Sequence, residues 1–294
     1  MSDHPSLFKY MTATTAVSVL NNCTLRWTTP RTLNDPYDVQ FDLHIEGDRA
    51  AVKEAALGKL WVAHYGNTPS EPGNILGAII KALRGRFPKL SREEFDREFG
   101  EAIDESLDAG ERALPRFQAE MREQFKSSKI LCLTSEPCSN LMWTHYADSH
   151  NGVVLKFRSV RELDSCWCMA KPMNYVAAMP RLLDTDFLAD LLSGAAKMIP
   201  DVLVDRMIYT KSTEWEYERE WRIYSGDGRN PAADYEDIPF HPLELEALIF
   251  GCRTSREIRL NLMEVVRANY PYARLFEIQL ADREFNLRIE PLNV

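Results

Sequence analysis

No apolar run in the 294-residue chain approaches the roughly 18 residues a membrane-crossing helix needs. Its start, Met1-Ser-Asp-His-Pro5, lacks the basic stretch and apolar core of a secretory leader, so a cytoplasmic location without membrane contact is expected. Cysteine is sparse. Cys23, Cys132, Cys138, Cys166, Cys168 and Cys252 mostly sit in apolar, strand-like contexts, which suits reduced buried thiols and no disulfide framework. There is no C-x-x-C pair and no H-x-x-x-H spacing, and Cys166-Trp-Cys168 is too tight for a structural finger, so no metal is expected. The absence of Walker, G-x-S-x-G and kinase signatures removes the commonest phosphoryl-transfer and hydrolase readings. The glycine-rich stretch Gly226-Asp-Gly228 follows a strand but precedes no helix, and reads as a hairpin turn, not a phosphate cradle.

Net positive charge is missing too. The balance is -9, which gives no long-range attraction to a phosphate backbone, so nucleic acid is expected only as a local acceptor of a transferred group. Lys9, Arg26 and Arg31 form a local basic group near the N-terminus. Apolar residues reach 45%, enough to build a core and far from the composition of disordered chains.

The pattern along the chain predicts an α+β fold, a mixed or antiparallel sheet carrying a large helical insertion. The core is expected over 1–46 and 129–294 as a single domain, with the insertion at 47–128. At the N-terminus a strand at Leu7 to Tyr10 precedes a helix capped by Thr12 and a strand at Thr24 to Trp27. A polar turn, Thr29-Pro-Arg-Thr-Leu-Asn-Asp-Pro36, then leads to strand-like alternation through Tyr37, Val39, Phe41 and Leu43. Within the insertion, Ser91-Arg-Glu-Glu94 forms a capping box and Pro115 is expected to break or kink the helix. Beyond it come strands at Ile130 to Thr134 and Val153 to Phe157, with a short helix between them. A helical pair interrupted by Pro200 spans Asp184 to Lys211, and a second capping box, Thr213-Glu-Trp-Glu216, hands over to a strand at Glu220 to Ser225.

The densest cluster of functional groups is Lys211-Ser-Thr-Glu-Trp-Glu-Tyr-Glu-Arg-Glu-Trp-Arg222. With a strand beginning near Glu218, period-two alternation puts Glu218, Glu220 and Arg222 on one face and Arg219, Trp221 and Ile223 on the other. Two carboxylates on one face raise each other's pKa unless a cation lies between them, and Arg222 or Lys211 can supply it. The same pattern also suits ordinary salt bridges on a solvent-facing strand. Trp143 and Tyr146, three apart on a short helix, share a face that suits either stacking on a planar ring or core packing.

Five ordered segments together resemble one family. They are Phe8-Lys-Tyr10, Leu33-Asn-Asp-Pro-Tyr37, Leu131-Cys-Leu-Thr-Ser135, Met142-Trp-Thr-His-Tyr-Ala147 with Gly152 after it, and Trp215-Glu-Tyr-Glu-Arg-Glu-Trp-Arg222. The chain is similar to the bacterial domain-of-unknown-function family twenty-nine seventy-one, which shares a KY, an NDP turn, an MWxHYAxxxxG element and a late WxxExEWR. Its layout is similar in turn to that of ADP-ribosyltransferase-like toxins and anti-phage defence proteins. That likeness implies NAD as substrate. It implies Glu220, with Glu218, as the catalytic carboxylates, and Lys9 or Tyr10 on the ribose or pyrophosphate. Trp143 and Tyr146 would flank the nicotinamide, and Asn34, Asp35 and Arg222 would contribute to cofactor binding. The competing expectation is a non-catalytic module that recognises a nucleotide or a protein, with the helical insertion docking a protein partner. A metal-dependent nuclease built on Asp35, Glu218 and Glu220 is opposed by the acidic charge.

Overall fold

The computed structural model describes residues 5–39, 48–66, 74–83, 90–179, 183–197 and 200–292. In chain order the first elements are β1 (Leu7–Met11), α1 (Ala13–Asn22), β2 (Thr24–Thr28), α2 (Arg49–Tyr65), α3 (Ile75–Leu83), α4 (Arg92–Lys126) and β3 (Ile130–Thr134). Next come α5 (Asn140–Tyr146), β4 (Val153–Phe157), β5 (Lys171–Pro172), β6 (Asn174–Val176), α6 (Thr185–Ser193), α7 (Pro200–Ile208) and β7 (Thr210–Ser212). The chain closes with β8 (Glu220–Tyr224), β9 (Tyr235–Pro239), β10 (Leu245–Phe250), α8 (Arg256–Asn269), β11 (Arg274–Leu280) and β12 (Leu287–Pro291). The fold is α+β. Two compact units form: one spans Met1–Val39, Gln124–Ala178 and Ile208–Val294, the other Gln40–Glu123 and Met179–Met207. Among the described residues no helix is long and apolar enough to cross a membrane.

The second unit is helical. α2 packs on α6, and the Lys59 ammonium reaches Asp190 at 2.7 Å. The capping box at the start of α4 is present, with Glu94 N–H donating to Ser91 Oγ and Ser91 N–H to Glu94 Oε2. α4 carries on through Pro115, so the helix is not broken there. Residues 111–113 and Pro115 are exposed, so the carbonyl that proline leaves without a donor can be hydrated.

The first unit is built on a sheet with strand order β12-β11-β10-β4-β1-β3-β2-β9, with β8 along β3 and β5 along β8. All its pairs are antiparallel except β10 with β11, which the α8 crossover joins in parallel. Alternation sorts the two faces. Leu7, Leu25, Trp27, Leu131, Leu133, Leu155 and Ile223 face a core completed by Ala16 and Leu20 of α1 and Leu262 and Val266 of α8. Phe8, Tyr10, Val154, Ile249 and Ile278 face a second core completed by Met142 and Trp143 of α5. Gly152 is required where α5 returns to the sheet, because a Cβ there would lie 2.2 Å from the Met11 carbonyl oxygen.

The sheet is split at β3. That strand pairs along its whole length with β8, but among the described residues it meets β1 at Phe8↔Thr134 and β2 at Thr28↔Ile130. Between those two points, at Cys132, the neighbouring strands part.

Four local expectations are corrected. The segment after the polar turn is not a strand at Tyr37 and Val39: residues 36–39 form a turn, because Asp35 Oδ1 accepts from Tyr37 N–H and Val39 takes φ 55°. Phe41 and Leu43 lie outside the described residues. Helix α7 ends at Ile208, so Lys211 sits on β7, which pairs in parallel with β6. Strand β8 starts at Glu220; Glu218 ends a 3-10 turn capped by Ser212, not Thr213, and Arg219 at φ 45° joins the two. Gly226-Asp-Gly228 is no hairpin turn, since β8 pairs with β3 and β9 pairs with β2.

Candidate functional site

The site is assembled on β3 and β8, whose register places Thr134 opposite Glu220 and Cys132 opposite Arg222. Arg222 is fully buried. Its Nε donates to Glu220 Oε1 at 2.7 Å, Nη1 to Asp38 Oδ1 at 2.7 Å and to the Ile208 carbonyl at 2.9 Å, and Nη2 to Asp38 Oδ2 and to Glu220 Oε2 at 3.1 Å. A guanidinium has five N–H donors, so every one is taken. Lys211 extends the ladder, donating to Glu220 Oε2 at 2.9 Å and to Glu218 Oε2 at 2.6 Å. Tyr146 ends it. Its hydroxyl donates to Glu218 Oε1 and accepts from Asn34 Nδ2 at 3.3 Å. Tyr175 and Thr134 fix the backbone, the first accepting from Glu220 N–H at 2.8 Å and the second donating to the Glu218 carbonyl at 2.6 Å.

Both carboxylates of the E-x-E pair are buried, yet their environments push them in opposite directions. Burial alone would raise the Glu220 pKa, but the charges of Arg222 and Lys211 outweigh it and hold it at about 2. For Glu218, burial outweighs the charge and hydrogen bond of Lys211, and the pKa is raised. Burial, and then the hydrogen bond to Glu218, keeps the Tyr146 proton in place. Lys211 holds its charge because Glu220 and Glu218 more than offset its burial.

A pH dependence follows. Glu220 has a folded pKa below its unfolded one, so it stabilises the fold above about pH 4.5 and loses that contribution as pH falls toward about 2. Glu218 has the opposite sign and favours the fold slightly less once pH rises past its folded value. Urea midpoints of the wild type are expected to drop steeply between pH 4.5 and 2. Glu220→Gln should flatten that slope, whereas an unchanged slope would remove Glu220 from the ladder.

Over the ladder lies a crevice of about 170 Å³, at the place where β1 and β2 part from β3. It is lined by Phe8, Lys9, Tyr10, Leu33, Asn34, Cys132, Leu133, Thr134, Met142, Tyr146, Glu218, Glu220 and Arg222, among others. All five segments quoted above thus converge on it. Lys9 reaches into the opening and donates to the Cys132 carbonyl at 2.7 Å. Among the described residues Lys9 makes no ion pair, whereas Arg26 pairs with Asp237 and Arg31 with Asp234. Of the expected basic group, Lys9 and Arg26 line the crevice and Arg31 does not, and of those two Arg26 is the one already joined to a carboxylate.

Two expected binding residues, Trp143 and Asp35, do not line the crevice, and two others line it with their polar groups already engaged. Trp143 has no exposed surface; it meets Tyr10 edge-on at 5.2 Å, and its Nε1 donates to the Pro137 carbonyl at 2.9 Å, so it packs the core and cannot flank a ring. Asp35 shapes its own turn and does not line the crevice. Arg222 lines it but has no donor left for a ligand. Tyr10 lines it through its ring, while its hydroxyl is committed to the Glu136 carbonyl at 2.9 Å. Sequence reading missed Asp38, buried and bidentate to Arg222, and no spacing or motif marks it. It missed Thr134, Met142 and Tyr175 as well, the first two lying inside quoted segments.

Residues 142–223 match the sequence model of a family described as protein of unknown function, DUF2971. That segment is similar to the DUF2971 family. It opens on α5 and closes in β8, so it contains Tyr146, Lys211, Glu218, Glu220 and Arg222, while Lys9, Asn34 and Asp38 lie before it. No curated protein and no solved structure matches the chain.

Proposed function

We propose that the crevice binds NAD and that the protein cleaves its nicotinamide bond, as an ADP-ribosyltransferase or NAD glycohydrolase, with Glu218 as the reacting carboxylate. The observation that carries this reading is the divergence of the two carboxylates. Paired acids whose surroundings drive their pKa values apart mark a division of roles. Glu220 accepts from Arg222 at both oxygens, from Lys211 and from the Cys132 thiol, which fills the roughly four acceptor positions of a carboxylate. Glu218 keeps acceptor capacity free beside the crevice. Breaking the C–N bond sends its electron pair to the departing nicotinamide and leaves an oxocarbenium-like ribose cation, which a fixed carboxylate stabilises. The incoming water or acceptor hydroxyl then forms the new C–O bond and gives up its proton.

In this reading Lys9 faces a phosphate, Asn34 and Tyr146 form the rim over the ribose, and Asp38, Lys211, Glu220 and Arg222 hold Glu218 in place. The crevice is smaller than the roughly 300–1,000 Å³ of drug-sized pockets. It suits one ring-sized group, with the rest of the dinucleotide lying outside it.

Lys9→Met tests the anion contact. It removes a charge whose partner in the fold is a neutral carbonyl, so folding should survive, while nucleotide affinity should weaken about tenfold or more. Calorimetric titration of NAD reads this directly, and an unchanged affinity would remove Lys9 from the site. A second reading, non-catalytic nucleotide recognition, is favoured by the saturation of Arg222 and Glu220, which makes the floor rigid. NAD bound but not consumed by the wild type would select it.

A further inference from the structure

β12 is an edge of the sheet. β11 lies along one side of it, and among the described residues no strand lies along the other. Two bonds fix the direction of its backbone groups: Leu292 N–H donates to the Leu275 carbonyl at 3.0 Å, and the Asn286 carbonyl accepts from Ala281 N–H at 2.9 Å. Backbone groups alternate sides along a strand. Residues 286, 288, 290 and 292 therefore turn theirs toward β11, and Leu287, Ile289 and Pro291 turn theirs outward. Pro291 thus sits where its missing N–H costs the sheet no bond.

We propose that this edge pairs with the same edge of a second copy of the chain, antiparallel and centred on Ile289. In that register the strand Leu287-Arg-Ile-Glu-Pro291 is complementary to itself. Ile289 meets Ile289 through reciprocal N–H to carbonyl bonds, and at each end Leu287 N–H meets the carbonyl of Pro291. Arg288 of each copy stands directly opposite Glu290 of the other, on one face of the joined sheet.

Charged residues and proline on an edge normally discourage pairing. Here they discourage every strand except one that presents the reverse charges in register, which the antiparallel copy does. The need for a cation at Glu290 is visible within one chain. Across the β11–β12 ladder Glu290 faces Glu277, a like charge, and Glu277 is already joined to Arg259 at 2.6 Å. Arg288 and Glu290 are both exposed and make no ion pair among the described residues. A parallel or shifted pairing would set like charges together, so the charges select one register and a closed two-fold dimer.

Sedimentation equilibrium of the full chain tests this, with Arg288→Glu and the charge-swapped Arg288→Glu/Glu290→Arg. The wild type should form a reversible dimer. Arg288→Glu replaces two symmetric attractions with two repulsions and should weaken association about tenfold or more at an unchanged melting midpoint. The swap restores complementarity and should recover the dimer. A monomeric wild type, a dimer indifferent to Arg288→Glu, or a swap that stays monomeric despite normal folding would each overturn the proposal.

Discussion

Arg222→Ala is expected to cost the sheet unit about 3–5 kcal/mol, the range for removing one partner of a buried ion pair. The reason is the number of groups it would strand. Asp38 and Glu220 are both buried, and with the guanidinium gone they would be two carboxylates sharing Lys211 as their remaining cation, together with an unpaired carbonyl at Ile208. Arg222→Lys should be nearly as damaging, because an ammonium offers three donors from one point where the site uses a planar fork of five. Urea denaturation followed by tryptophan fluorescence reads this, since Trp167, Trp143 and Trp27 are buried in the same unit. A loss below about 1 kcal/mol, the scale of a surface ion pair, would show that the ladder is not the structural centre described here.

The second large effect separates the two carboxylates by function. Glu218→Gln keeps an oxygen for Lys211 or Tyr146 and removes the charge, so nicotinamide release should fall by about a hundredfold or more, with the unfolding midpoint shifted little. Glu220→Gln removes the charge lying between Arg222 and Lys211 and should destabilise the unit by several kcal/mol, losing activity through the fold. The opposite pattern, a stable but inactive Glu220→Gln beside an active Glu218→Gln, would return the catalytic role to Glu220.

Much of this arrangement was legible in the sequence because period-two alternation is a strong constraint. Glu218, Glu220 and Arg222 do share a side, Trp221 and Ile223 do pack against the other core, and β8 begins at Glu220 with Glu218 just before it. The α+β class and the caps at Thr12 and Ser91 were read from local chemistry, which those residues carry themselves. The roles of Trp143 and Asp38 were not legible. Whether a tryptophan on an amphipathic turn faces a ligand or a core depends on what covers it, here Tyr10 and His150. Whether an aspartate in a turn is solvated or buried depends on a guanidinium 184 positions away. The split at β3 was hidden for the same reason, since it arises from where three strands meet and not from any one of them.

The most direct test is nicotinamide release from NAD by the purified wild type and its Glu218→Gln variant, followed by mass spectrometry together with a search for modified macromolecules. The account predicts release by the wild type, and its near-complete loss in a variant that melts at almost the same temperature. NAD left intact by a correctly folded wild type, with no acceptor in cell extract restoring release, would contradict it and leave the crevice as a site that binds without reacting.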